Sequence, residues 1–173
     1  MEDLKSMNTT KTVKIAFFKG NGTYRDFLIR YWTKSPYSHT EFIRSDGTSH
    51  SNDRKHLFSR IAILEFTSND WDIFEFCLPI EIVNKIEQRQ LSKIGTKYDW
   101  KGIIFSQFFK WGWHSSQRWF CSKSNADDLR FAYFLMKHSG DPKYQEYIDF
   151  LFPFSVVHPQ HFSPKLLYSL LVL

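Results

Sequence analysis

Read for the spacing of its apolar positions, the chain passes from strand-like runs to helical ones. Residues 12–18, TVKIAFF, form a first strand that ends at the turn signal Gly20-Asn21-Gly22. Residues 24–32 repeat at the helical period, with Phe27, Leu28 and Tyr31 on one side. The Ser35-Pro36 turn introduces a short strand in YSHTEFI, residues 37–43. Asp46-Gly47 marks another turn, and residues 48–56 read as a polar loop. Residues 60–66 and 71–78 are two β-rich runs separated by 67–70, the pattern of an antiparallel hairpin. Pro79 then opens a charged amphipathic helix over 80–94, closed by Gly95.

In the second half, Asp99 is placed to cap a short helix running to about residue 111, and residues 112–117 form a loop leading to Cys121. From Leu129 the apolar residues fall at Leu129, Ala132, Tyr133 and Met136, an amphipathic helix. Ser122, Ser124, Asn125, Asp127 and Asp128 crowd its first turn, while Gly140 and Pro142 follow its last. Residues 144–151 read as a short helix. Pro153, Pro159 and Pro164 break up the remainder, and Ser163-Pro164 starts a final apolar helix that docks on the core. Strands followed by helices predict an α+β domain rather than a doubly wound sheet. Residues 1–11 read as a disordered tail and 12–173 as one domain.

Composition narrows the function classes. Hydrophobic content of 42% and aromatic content of 18%, with 18 Phe, belong to a folded chain. The net charge of +5 could favour anionic surfaces or nucleic acid, but the basic residues are scattered among 18 acids, so no dedicated nucleic-acid binding is expected. The first dozen residues carry no apolar signal region, and no apolar run reaches the roughly 18 residues of a membrane span. A soluble, cytoplasmic protein is expected. Two cysteines do not make a disulfide framework; Cys77, in the aromatic run WDIFEFCLP, reads as a small core residue. The cysteine and histidine spacings carry no metal-ligand rhythm, and neither phosphate-binding glycine motif occurs, so no metal and no cofactor are expected.

The candidate chemistry lies in two stretches. Cys121, in RWFCSKSNADDL, sits at or just before a helix N-terminus, where unsatisfied N–H groups and the dipole stabilise a thiolate. A buried structural cysteine would occupy the same context. In SHTEF, strand alternation puts His39 and Glu41 on one face and Thr40 and Phe42 on the other. A surface His–Glu pair would look the same. Taken together, the stretches supply nucleophile Cys121, base His39 and orienting acid Glu41. Glu65 and Glu75 are the other acids in reach of that third role, and the loop residue His114 is a weaker competitor.

The order SHTEF, GTKYD before a helix, FCS opening the next helix and FSPKLL near the C-terminus resembles the circularly permuted papain-like amidases of the YiiX/YaeF type. These are relatives of NlpC-type cell-wall peptidases and of lecithin:retinol acyltransferase. The resemblance implies a small antiparallel sheet packed against helices, with the nucleophile at a helix N-terminus and the histidine strand preceding the cysteine helix. It implies a cysteine hydrolase or acyltransferase acting on an amide, either a peptidoglycan stem peptide or an N-acyl or lipid-linked amide. Tyr98 of GTKYD corresponds to a tyrosine beside the nucleophile, and Trp119 and Ser122 flank Cys121 on the oxyanion or substrate side. Lys123 departs from the acid that often follows Cys-Ser, which bears on substrate preference. The alternative is a catalytically silent protein of the same fold that holds a partner on its basic, aromatic surface.

Overall fold

The computed structural model describes residues 10–53, 58–96 and 121–172. Its elements follow the order β1 (Thr10–Phe18), α1 (Tyr24–Thr33), β2 (His39–Ile43), β3 (Ser49–Asp53), β4 (Phe58–Ala62), β5 (Trp71–Pro79), α2 (Ile80–Lys93), α3 (Cys121–Ser139), α4 (Gln145–Val156) and α5 (Pro164–Leu171). The strands form one antiparallel sheet in the order β4-β3-β2-β1-β5, so the protein is of the α+β class. No helix among the described residues is long and apolar enough to cross a membrane.

Alternation fixes which sheet face enters the core. On β1, Val13, Ile15 and Phe17 are buried, and Phe42 of β2 and Leu78 of β5 join them. Against them pack Ile82, Val83 and Ile86 of α2 and Leu129, Ala132, Tyr133 and Met136 of α3. Leu151 and Phe154 of α4 and Leu167 and Leu171 of α5 complete the cluster. Ser163 caps α5 by accepting from the Leu166 amide, as the Ser-Pro signal implies.

Several local expectations are corrected. First, Thr10 and Lys11 belong to β1, because they pair with Pro79 and Leu78. Second, the polar stretch containing Ser49, His50, Ser51 and Asn52 is a buried strand; its polar groups bond across the sheet, Ser51 to Thr40 O (2.7 Å) and His50 Nε2 with Ser59 Oγ (2.9 Å).

Third, the runs flanking 67–70 are not a hairpin. β5 pairs along all nine residues of β1, whereas the outer edge of β4 is taken by the chain after α2, through Ser59 N to Thr96 O (2.9 Å) and Gly95 N to Ser59 O (3.0 Å). Fourth, Cys77 is exposed: Phe74, Phe76 and Leu78 take the inward positions of β5, so alternation turns Cys77 outward with Ile73 and Glu75. Fifth, Pro153 lies inside α4, held there by the burial of Leu151 and Phe154 on either side.

Asp127 and Asp128 stand about two turns into α3 rather than in its first turn, and they meet the end of α2. Asp128 accepts from Lys93 Nζ (2.6 Å) and from Gln90 (3.0 Å), and Asp127 pairs with Arg89 (2.7 Å). His50 is buried near this group. Burial pulls it down to about 4, with Asp128 opposing and Lys93 reinforcing the shift.

Two outcomes follow from this cluster. Asp128→Ala leaves Gln90 without its carboxylate partner and Lys93 still paired with Asp127 at 3.1 Å, and should lower stability by about 2 kcal/mol; an unchanged urea midpoint would show that Asp128 adds nothing. His50 binds its proton near 6.5 when unfolded and near 4 when folded, so its contribution is complete above 6.5 and is lost as pH falls through about 4. Equilibrium unfolding of His50→Gln should show a shallower loss between those limits than the parent.

Candidate active site

The site is built on the start of β2. Ahead of it, Gly22 adopts φ +58°, and the Asp26 carboxylate occupies the space a Cβ would need. Asp26 caps α1 by accepting from the Thr23 amide (2.8 Å) and hydroxyl (2.7 Å), and its other oxygen accepts from Ser38 Oγ (2.9 Å). One buried carboxylate thus fixes the entry of α1 and the residue before His39. Tyr37 is clamped on the other side by donating to Asp72 (2.8 Å), which also pairs with Lys19 (2.6 Å); burial and Asp72 push the phenol well above its usual range.

The expected face-sharing of His39 and Glu41 is present. His39 Nε2 lies 2.8 Å from Glu41 Oε1, and Glu41 is fully buried. The same oxygen accepts from Arg60 at 3.1 Å, and Ser51 Oγ stands 3.5 Å from His39 Nε2. Glu65 is exposed and Glu75 pairs with Lys14 on the surface, so neither meets His39. With Nε2 committed to Glu41, Nδ1 is buried and makes no hydrogen bond of its own, and His39 feels the charge of Cys121. Burial alone would lower the basicity of His39. Cys121 and then Glu41 outweigh it, and His39 is pushed up to about 10.

Cys121 is the first described residue of α3 and is 4% exposed. Its helix is seated by polar contacts: Asn125 donates to Thr40 Oγ1 (3.1 Å) and Ser122 donates to Phe162 O (2.6 Å). The Ser122 hydroxyl is therefore engaged by the chain before α5. Tyr98, Trp119, His114 and the helix expected after Asp99 lie outside the described residues.

A cleft of about 660 Å³ opens on this group, with His39, Glu41 and Arg60 among its lining and Phe18, Leu64, Trp71 and Tyr24 as apolar walls. Trp71 approaches the His39 ring edge-on at 6.4 Å. Cys121 is not among the lining residues. Arg60 is the site residue that sequence reasoning missed: it sits in a run that reads as an ordinary strand, and only cross-strand register brings it to Glu41. No protein-family model matches the chain, and no curated protein is significantly similar to it.

The ring charge is directly measurable. Nitrogen NMR of the imidazole should show His39 still protonated at pH about 8 and titrating near 10, and Cys121→Ser should shift that titration downward. A ring that titrates near 6.5 in both proteins would show that no thiolate–imidazolium pair forms.

Proposed function

We propose that the protein is a cysteine hydrolase of the circularly permuted papain-like kind, cleaving an amide through Cys121, His39 and Glu41. The observation that carries this reading is one buried imidazole coupled to a thiol and to a carboxylate at once. The element order adds support, since the histidine strand precedes the cysteine helix and that helix packs on an antiparallel sheet. A carboxylate on Nε2 fixes the tautomer and ring orientation, and Arg60 supplies the counter-charge that lets the acid stay buried.

In this mechanism the Cys121 thiolate adds to the substrate carbonyl carbon. His39 then gives its proton to the departing amine as the carbon–nitrogen bond breaks, leaving a thioester on Cys121. Water attacks that thioester, its proton passes to His39, and the acid leaves as the thiolate reforms. A peptidoglycan stem peptide or an N-acyl or lipid-linked amide is the favoured substrate class; an amine or alcohol in place of water would make the same site an acyltransferase.

One observation favours a second reading, a catalytically silent binding protein of the same fold. Cys121 is almost fully buried, and the cleft is lined from the His39 side. Alkylation separates the two. At pH about 6 an ordinary thiol is nearly all protonated, whereas a thiolate held by imidazolium still reacts. Brief iodoacetamide treatment at that pH should modify Cys121 and spare the exposed Cys77, and Glu41→Gln should slow the reaction at Cys121 on the order of tenfold. Preferential labelling of Cys77 would overturn the hydrolase reading; a Glu41→Gln protein whose Cys121 reacts like the parent would move the orienting role elsewhere.

A further inference from the structure

The spacing of α1 leads one to expect Phe27, Leu28 and Tyr31 on a common apolar side, but that side does not enter the core. Tyr24, Phe27 and Tyr31 are 73%, 55% and 68% exposed, while Leu28 and Ile29 are only partly covered. The three rings form an outward column: Tyr24 and Phe27 lie 6.4 Å apart at 24°, and Phe27 and Tyr31 lie 6.2 Å apart at 20°. Three large rings held in contact on the surface of one short helix are costly to expose to water and call for an occupant.

The chemistry of the ridge selects that occupant. Tyr24 stands on the wall of the cleft while Phe27 and Tyr31 lie clear of its lining, and the ridge places phenol hydroxyls at both ends of an apolar centre, the amphipathic pattern of side chains seated at a membrane–water boundary. Arg25 and Lys34 are exposed on the same helix and its cap, whereas the helix's single acid, Asp26, is only 4% exposed and engaged in capping. The whole chain adds a net charge of +5. Apolar rings beside basic groups with no exposed acid on the helix complement an anionic lipid headgroup layer. The ridge is also continuous with the site, because Tyr24 and Arg25 line the cleft that holds His39 and Glu41.

We propose that the Tyr24–Phe27–Tyr31 ridge of α1 docks the protein on an anionic lipid bilayer, bringing the mouth of the His39 cleft to the membrane surface. The surface binds whether or not Cys121 is a nucleophile, so the two readings fail separately.

Vesicle co-sedimentation of the full chain tests it, using phosphatidylcholine vesicles with and without phosphatidylglycerol. Binding is expected to the anionic vesicles, weakened by salt and weak or absent with phosphatidylcholine alone. The triple variant Tyr24→Ser/Phe27→Ser/Tyr31→Ser should reduce the bound fraction on the order of tenfold. The charge variant Arg25→Glu/Lys34→Glu, at exposed positions that leave the rings in place, should reduce it severalfold and remove the salt dependence. Unchanged far-UV circular dichroism and urea midpoints in both variants would certify that the fold is intact. Failure to bind either vesicle, parent-like binding by both variants, or equal binding to neutral vesicles would overturn the proposal. A concentration-dependent dimer that the triple variant abolishes, without vesicle binding, would assign the ridge to a second copy of the chain instead.

Discussion

A carboxylate with no solvent contact in the middle of a strand must be neutralised where it stands, and Glu41 is that group. Its Oε1 is shared between His39 at 2.8 Å and Arg60 at 3.1 Å. His39 also feels the charge of Cys121, and a thiolate there would extend to the cysteine helix the alternation of charge that runs from His39 through Glu41 to Arg60. Each member is tolerable in the interior only in the presence of its neighbours. Removing one leaves an uncompensated charge, so the line ties the cysteine helix, β2 and β4 into one electrostatic unit.

The oddities of the sheet follow from that need. Arg60 belongs to β4 and Glu41 to β2, so the guanidinium must pass over β3. The β3 residue paired with Arg60 is Ser51, whose small side chain leaves the room and whose hydroxyl is satisfied by Thr40 O. A bulky β-former there would close the path. This is why a central strand is written in Ser, His and Asn, residues of poor strand propensity, and why pairing on both edges has to supply what propensity does not.

The cysteine helix is held by a different balance. Leu129, Ala132, Tyr133 and Met136 provide apolar burial, which by itself tolerates sliding and rotation. Directional bonds at the other end of the helix remove that freedom: Asn125 to Thr40, Ser122 to Phe162 O, and Asp128 to Gln90 and Lys93. They place Cys121 by fixing the helix that carries it. The aromatic ridge of α1 stands outside this arrangement, next to the same cleft and unconstrained by the core.

Much of this was legible from local rules. The period of two set His39 and Glu41 on one face, and would also have turned Cys77 outward had the aromatic run around it not suggested a core position. Proline and glycine punctuation marked α2, α3 and α5, because such signals act within a few residues of the chain. What sequence alone could not decide was partnership. Ser49 to Asn52 look like loop until two neighbouring strands satisfy them; β5 looks like the mate of β4 until the longer edge of β1 takes it; Asp128 looks like a cap until Lys93 arrives from α2. Arg60 carries no local signal, since its role depends on register across an intervening strand. The sequence by itself determined which residues could do chemistry and which segments were regular; the tertiary structure decided which of them meet, because pairing and charge compensation are paid between segments far apart in the chain, where local preference has no say.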